Sequence, residues 1–140
     1  MKFCITFLAF ISFNCFANAP LSLNGVGINM SMVDVIKLKG EPTSKSEYAD
    51  YITDIFTYPK FEVHFNGDDV VGVYSDSINI CTPENICIGS RIQDAQALYG
   101  KGYSKSKGLY EFYSKQEFTC WYRVFSTHDY IQKIEIACQP

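Results

Sequence analysis

Residues 118–138 read FTCWYRVFSTHDYIQKIEIAC, and this stretch decides the fold because it predicts a β-hairpin. Aromatic and β-branched residues dominate 118–125 and 131–138, a composition typical of strands. The polar residues 126–129 between them predict the turn. Residues 61–75, FEVHFNGDDVVGVYS, show the same organisation, so the chain contains two similar hairpins.

Each hairpin belongs to a longer pattern that recurs after sixty positions. The matching residues are Ile28, Asp34, Leu38 and Gly40 in the first copy and Ile88, Asp94, Leu98 and Gly100 in the second. Both copies predict a short helix that begins at a capping box and ends at the glycine. The predicted capping pairs are Ser31 with Asp34, and Ser90 with Gln93. Strands are expected after the helices at 51–58, 61–65 and 70–75, and at 109–113, 118–125 and 131–138.

The predicted fold class is therefore α+β, with two tandem repeats of a short helix followed by a three-stranded antiparallel sheet. The helices are expected to pack on one sheet face. The expected divisions are a leader at 1–19, a first repeat at 20–80 and a second at 81–140. A unit of about sixty residues is small for independent stability, so the repeats should share a continuous sheet or pack face to face.

The first nineteen residues have the three parts of a secretory signal peptide. Lys2 supplies the positive charge, residues 3–13 form an apolar run, and Ala17 or Ala19 ends a small-x-small cleavage site. A lipoprotein signal acylated on Cys15 is the alternative. The apolar run is shorter than the roughly 20 residues that a spanning helix needs. We therefore expect a periplasmic or secreted protein without a membrane span.

Four cysteines remain beyond the leader, and an even number in an exported chain indicates disulfide bonds. Three connectivities are possible. We favour Cys81 with Cys87, because they are close in sequence. We also favour Cys120 with Cys138, because each falls in a predicted strand. A zinc site is the alternative, but the spacing lacks paired C-x₂₋₄-C motifs and the chain has only two histidines, so no metal site is expected.

Two short phrases in the repeats carry a family resemblance. They are Ile28-Asn29-Met30-Ser31 with Val35 and Gly40-Glu41-Pro42, and Ile86-Cys87-Ile88-Gly89-Ser90 with Asp94 and Leu98-Tyr99-Gly100. Both resemble the SmpA/OmlA (BamE-like) module, whose signature is G-M-T/S, a helix with valine, and L-G-x-P. This module occurs once in the outer-membrane assembly lipoprotein BamE and twice in β-lactamase inhibitor protein. The resemblance covers residues 25–138 and implies a tandem two-repeat architecture. Asn29 stands at the first glycine position, and BamE's lipid-anchor cysteine is missing.

The composition and the scarcity of histidine argue against several function classes. The formal net charge of the chain is −3, which argues against the basic stripe that binds nucleic acid. Nucleophilic catalysis needs a base beside the nucleophile. His64 is expected to be exposed on a strand, and His128 beside Asp129 is explained by the turn. Gly25-Val26-Gly27 lacks the lysine of a phosphate loop. We expect no catalytic residue and no cofactor.

A surface of the second predicted sheet is a stronger indication of function than any candidate catalytic residue. If Cys120 and Cys138 share a face with Ile134 and Ile136, strand alternation sends one set of residues to the opposite face. That set is Thr119, Trp121, Arg123, Phe125, Lys133 and Glu135. Trp and Arg are enriched at binding hot spots. The sixty-residue offset instead aligns Trp121 and Phe125 with the predicted core residues Phe61 and Phe65, so a buried Trp121 is the alternative.

A basic, tyrosine-rich segment after the second helix is a further candidate for binding, with a solvated loop as the alternative. It contains Tyr99, Lys101, Tyr103, Lys105, Lys107 and Tyr110. The candidate protein-binding residues are Trp121, Arg123, Phe125, Tyr103, Lys105 and Lys107. We expect an exported, non-enzymatic module of the bacterial envelope that binds another protein. The alternatives are an inhibitor or immunity-type protein that blocks a secreted hydrolase, and an envelope hydrolase.

Overall fold

The protein is mostly β, and its described residues, 20–115 and 119–140 of a computed structural model, form one large sheet. A small two-stranded sheet, β1 (Ser22–Leu23) and β2 (Val26–Gly27), precedes helix α1 (Met32–Lys39). After α1 come β3 (Ser44–Glu47), β4 (Asp54–Thr57), β5 (Glu62–Asn66) and β6 (Asp69–Ser75). Helix α2 (Ile92–Tyr99) is followed by β7 (Tyr103–Ser106), β8 (Leu109–Tyr113), β9 (Cys120–Thr127) and β10 (Tyr130–Cys138). The predicted signal peptide at 1–19 lies outside the described residues.

The eight strands after the helices form a single antiparallel sheet in the order β3-β4-β5-β6-β10-β9-β8-β7. Each set of four is a meander, and the two meanders join where β6 pairs with β10. Ser75 lies opposite Ile134 and Gly72 opposite Ala137 at this junction. Because the last strand of each meander is the one that joins, β3 and β7 lie at the two edges of the sheet.

The predicted fold class was wrong: the protein is mostly β, and each helix is followed by four strands of a single eight-stranded sheet instead of by a three-stranded sheet. The strands of the large sheet that the prediction missed are the edge strands β3 and β7, with sequences SKSE and YSKS; the short strands β1 and β2 were not predicted either. Neither has the apolar alternation or β-branched residues by which a half-buried strand is recognised. Short, polar edge strands are typical of sheets, because an edge strand pairs on one side only and must stay soluble on the other.

The relation between the two hairpins also differs from the expected sixty-residue offset. The turns follow Asn66 and Thr127, and each hairpin has a bulge just beyond its turn. These features coincide at an offset of sixty-one positions, whereas the helices start at Met32 and Ile92. One extra residue therefore lies before β9. With that shift the counterpart of Phe61 is Tyr122, and both are buried.

A single hydrophobic core covers one face of the sheet. Both helices lie on this side, with Val35 of α1 and Ala95 of α2 completely buried. The inward strand residues include Val63, Phe65, Val73, Tyr122, Val124, Ile131, Ile134 and Ile136. We call the opposite side the helix-free face; its residues alternate with these core residues along each strand.

The two helices begin differently. Ser31 caps α1 as predicted, since its hydroxyl oxygen accepts from the Asp34 amide at 3.2 Å and donates to the Asp34 carboxylate at 2.9 Å. The prediction for α2 was wrong: its N-cap is Arg91, without a side-chain cap. Ser90 Oγ instead accepts from the Cys87 amide at 3.1 Å. That contact belongs to the loop closed by Cys87, which competes for the serine hydroxyl.

The structure contains two disulfide bonds, Cys81–Cys87 and Cys120–Cys138, which is the pairing that the sequence favours. The first closes a short loop. The second joins β9 to β10, in which the two cysteines lie directly opposite each other. Disulfides persist in oxidising compartments, so both bonds are consistent with a protein that folds outside the cytosol.

Removal of these disulfides should destabilise the protein, and the loss should be larger for the bond that closes the longer loop. Their sequence separations are 6 and 18. Loop-closure entropy predicts a loss of about 2 kcal/mol for Cys81→Ser/Cys87→Ser and about 3 kcal/mol for Cys120→Ser/Cys138→Ser. Urea unfolding of the two double variants and the parent measures this order. A larger loss for the short loop would show that local packing, rather than chain entropy, dominates.

Candidate functional site

The helix-free face is organised in rows of directly opposed residues that cross several strands. One row runs through Glu62, Tyr74, Glu135, Arg123, Glu111 and Tyr103. The neighbouring row runs through His64, Gly72, Ala137, Trp121 and Tyr113. Directly opposed residues of antiparallel strands share a face and contact each other. Charged and aromatic groups are therefore concentrated on this side of the sheet.

A cleft interrupts the second row, because its two central residues are small. Gly72 and Ala137 lie between His64 and Trp121, which are three strands apart, or about 14 Å at the usual strand spacing. A cleft of about 300 Å³ opens there. This volume is at the lower end of the range for small-ligand pockets. His64, Trp121, Arg123 and Glu135 line it.

His64 leans over the floor of this cleft. A Cβ atom placed on Gly72 would lie 3.7 Å from His64 Nδ1 and 3.1 Å from the Ile136 carbonyl oxygen. The imidazole ring would thus be in ordinary van der Waals contact with a Cβ at this position, whereas the contact with the Ile136 backbone would be tight. Tyr51 and Gln139 form part of the rim, where the Tyr51 hydroxyl donates to the Gln139 carbonyl over 3.3 Å.

Trp121 is buried on the helix-free side of the sheet. Its exposed fraction is only 7%, although it is not part of the hydrophobic core around the helices. The Tyr113 ring covers it at a centroid distance of 5.4 Å, and the Arg123 guanidinium lies 5.8 Å from its centroid. Tyr103 stacks edge-on against Tyr113 at 5.5 Å and is 68% exposed. These three aromatic rings form a series, the aromatic strip, that runs from the sheet edge to the cleft.

Arg123 lies between two carboxylates. Its Nε is 3.4 Å from Glu111 Oε1, and its Nη1 is 3.7 Å from Glu135 Oε2. Glu111 is almost completely buried and also accepts a hydrogen bond from the Tyr113 hydroxyl at 3.0 Å. An ionised carboxylate at such a depth needs a cation or several donors. Arg123 therefore holds the wall of the cleft together.

Negative charge also surrounds Tyr74, which lies next to Glu135 in the same row. Burial raises the pKa of the Tyr74 hydroxyl, and the carboxylates of Asp76, Glu62 and Glu135 raise it further. The Tyr74 hydroxyl therefore remains a neutral donor at physiological pH. Lys133 offsets part of this charge, and its Nζ lies 3.9 Å from the Phe125 centroid and 5.3 Å from the Tyr74 centroid.

Two buried side-chain nitrogens in the cleft walls lack a hydrogen-bond partner among the described residues. They are Nε2 of His64 and Nε1 of Trp121. The Glu62 carboxylate is 3.6 Å from His64 Nε2, which is too far for a hydrogen bond. Buried polar atoms are nearly always satisfied in folded proteins. Both atoms are closed off from solvent in the structure.

The remaining sequence-derived candidates lie around this cleft. Phe125 is half-buried beneath Lys133 in the next row of the face. The predicted basic loop is an edge strand and its turn: Tyr103 begins β7, and Lys107 is exposed in the turn before β8. Lys105 also belongs to β7, but its side chain lies outside the described part of the structure.

The sequence analysis missed the residues that shape the cleft. His64 was expected to be exposed, but it is half-buried with a covered Nε2. The sequence patterns did not single out Glu111, Gly72 or Ala137. A glycine inside a strand pattern marks a close approach of other groups, so Gly72 was the available signal. His128 behaves as predicted, because it lies exposed in a hairpin turn with φ of 50°.

Residues 20–115 and 119–140, the described part of the chain, contain neither a cluster of metal ligands nor a helix that could span a membrane. No group of three or more His, Cys, Asp and Glu side chains is placed to hold a metal ion. Neither α1 nor α2 is long and apolar enough to cross a bilayer.

Comparison with known proteins yields a likeness of fold. No protein-family model and no curated protein matches the chain. Among solved structures, the chain is similar to an extracellular protein containing an SCP domain from Bacillus anthracis, with a TM-score of 0.59 and 14% identity. The match covers 80% of this chain and 44% of that protein, so the chain spans less than half its length. At this identity the likeness shows the fold alone.

Proposed function

We propose that the protein is an exported, non-enzymatic module of the bacterial envelope that binds another protein through its helix-free face. One observation carries this proposal: the aromatic strip of Tyr103, Tyr113 and Trp121 lies beside the Glu111–Arg123–Glu135 ion pairs on the side away from the helices. Tyr103 and Tyr113 are exposed beside a buried tryptophan and an arginine, and tyrosine, tryptophan and arginine are the residues enriched at binding hot spots. A broad sheet face can present them together.

Export is supported by the two disulfides and by the extracellular nature of the similar Bacillus anthracis protein. The sequence of residues 1–19 supports a signal peptide, and we place the mature protein in the periplasm on that ground. The proposed relationship to the SmpA/OmlA family rests on the sequence motifs around α1 and α2. It makes a binding role in the envelope the favoured assignment over catalysis.

Site-specific photo-crosslinking distinguishes the helix-free face from the helical side. A photoreactive phenylalanine analogue at Tyr103 should crosslink an envelope protein, because this side chain is 68% exposed on the proposed face. The same analogue at Val33, which is 70% exposed on α1, is the matched control. Crosslinks from Val33 alone would reject the proposal. A hydrolase as the crosslinked partner favours inhibition, and an outer-membrane assembly component favours a structural role.

Truncation of the aromatic strip should weaken binding to the crosslinked partner without unfolding the protein. Tyr103→Ala is expected to reduce affinity by about tenfold or more, the loss typical of a hot-spot aromatic. Leu98→Ala, at an exposed position of α2, should leave affinity unchanged. Titration calorimetry against the purified partner measures both variants, and their melting temperatures check folding. Equal affinities for the parent and Tyr103→Ala would show that the interface lies elsewhere.

A further inference from the structure

We infer that the edge strand β3 pairs antiparallel with β3 of a second copy of this chain and so joins two eight-stranded sheets into one. The pairing places Ser46 opposite its own counterpart, and Lys45 opposite Glu47 of the second copy. It uses an edge of the sheet and not the helix-free face, so it is independent of the proposed function. Three features support it: the backbone alternation of β3, its charges, and its contrast with the other edge strand, β7.

The hairpin of β4 and β5 shows which backbone groups of β3 face inward. Its turn closes with a hydrogen bond of 2.9 Å from the Tyr58 amide to the Phe61 carbonyl, so the backbone groups of Tyr58 point toward β5. Those of the preceding residue, Thr57, therefore point toward β3. Thr57 lies directly opposite Ser44. Ser44 and every second residue after it thus direct their backbone groups toward β4.

Lys45 and Glu47 are consequently the residues whose N–H and C=O groups point away from the sheet. All four residues of β3 are exposed, and no strand of the described chain pairs with its outer side. Two opposed residues of this kind in an antiparallel pair exchange both backbone hydrogen bonds. Two-fold symmetry repeats the pair of Lys45 with Glu47, which gives four hydrogen bonds around a central pair of Ser46 residues.

The same register brings opposite charges together. Within the chain, Glu47 lies directly opposite Asp54 of β4, and like charges in such positions destabilise a sheet. Lys45 Nζ is 3.2 Å from a carboxylate oxygen of Glu41, and both of these side chains are half exposed or more. Pairing with a second copy places a lysine beside each Glu47. The sequence of β3 is therefore complementary to itself.

The other edge of the sheet is protected in ways that β3 is not. The pairing of β7 with β8 shifts register between Ser104 and Ser106. Lys105 lies in β7 and Lys107 in its turn, so the charged residues there have one sign. Bulges and lysines both oppose pairing between sheet edges. β3 instead pairs with β4 in continuous register and has one charge of each sign. Because four residues form only a small interface, we expect a weak dimer.

Disulfide trapping of Ser46→Cys tests the register. Opposed residues without mutual backbone hydrogen bonds have Cα atoms about 4.5 Å apart, which is within disulfide range. Ser44→Cys is the matched control, since it is exposed on the same strand but would lie about 14 Å from its counterpart. The full chain, folded with both native disulfides, is mildly oxidised and its covalent dimer is measured on non-reducing gels. Ser46→Cys should form this dimer at least about tenfold faster than Ser44→Cys. Equal rates, or no dimer of Ser46→Cys, would overturn the inference.

Charge variants in the Ser46→Cys background test the contact between the copies. Lys45→Glu creates two like-charged pairs and should slow dimer formation roughly tenfold. Lys45→Glu/Glu47→Lys restores opposite charges between the copies, but not the ion pair with Glu41, and should recover most of the rate. Lys60→Glu changes the net charge equally in an exposed turn and should have no effect. Melting temperatures check that each variant is folded. If Lys45→Glu dimerises at the parent rate, or the double variant stays as slow as Lys45→Glu, this pairing of β3 is wrong.

Discussion

Replacement of Gly108 by alanine is expected to destabilise the protein by roughly 3 to 4 kcal/mol, from the sum of backbone strain and steric overlap. Gly108 has a φ of +81° in the turn between β7 and β8. A Cβ atom there would overlap the Ser126 carbonyl oxygen of β9. That contact is with backbone, so no side-chain rotation relieves it. The Gly108 carbonyl also accepts from the Ser126 amide at 2.7 Å, which fixes the approach.

Gly40→Ala separates the two contributions. Gly40 ends α1 with a φ of +83°, and a Cβ atom there would have no neighbour within 4 Å. This variant should therefore lose only the backbone strain of φ +83° and ψ −176°, a conformation that is essentially restricted to glycine and costs about 1 to 3 kcal/mol. Urea unfolding of both variants measures the difference. Equal losses would mean that β7 and β8 shift away from β9 at little cost, and that this edge of the sheet is soft.

The parts of the fold that the sequence predicts are those in which local chemistry and burial agree. Ser31 caps α1 because its hydroxyl oxygen accepts from the Asp34 amide three residues later, a contact that the local sequence alone provides. The hairpin β9–β10 forms where β-branched and aromatic residues surround a polar turn. In both places the local sequence pattern is sufficient to predict the structure.

The edge strands escape prediction because nothing in their own residues requires a strand. β3 is exposed at all four positions, and its conformation comes from pairing with β4. The same holds for the cap of α2, where Ser90 is drawn into the loop of Cys87. In each case a partner elsewhere in the chain outweighs local propensity.

The candidate site depends even more on distant pairing. His64 and Trp121 belong to different meanders, and only the β6–β10 junction brings Gly72 and Ala137 between them. Sequence alternation correctly separated Trp121 and Arg123 from Ile134 and Ile136, but it could not show that β6 would lie beside β10. The one extra residue before β9 also explains why the sixty-residue offset aligned Trp121 with a core position. Register across the junction is therefore what creates the cleft.

Arg123→Leu is expected to cost roughly 3 to 4 kcal/mol of stability, because it removes the cation beside a buried carboxylate. The Glu111 side chain is 4% exposed and the Arg123 side chain is 31% exposed, so Glu111 bears most of the loss. The Tyr113 hydroxyl also donates to Glu111 at 3.0 Å, but a neutral donor stabilises an ionised group less than a cation does.

The double variant Arg123→Leu/Glu111→Leu decides whether charge or packing causes that loss. Removal of both partners takes away the buried charge, so the double variant should be more stable than Arg123→Leu alone by about 1 to 3 kcal/mol. Glu135→Gln is the matched control, since its contact with Arg123 is longer at 3.7 Å and more exposed; its cost should stay below about 1 kcal/mol. Urea unfolding of the parent, Arg123→Leu, the double variant and Glu135→Gln measures these differences. If the double variant is less stable than Arg123→Leu, the Glu111 side chain contributes by its packing and its hydrogen bond with Tyr113, and Arg123 is not what holds it in place.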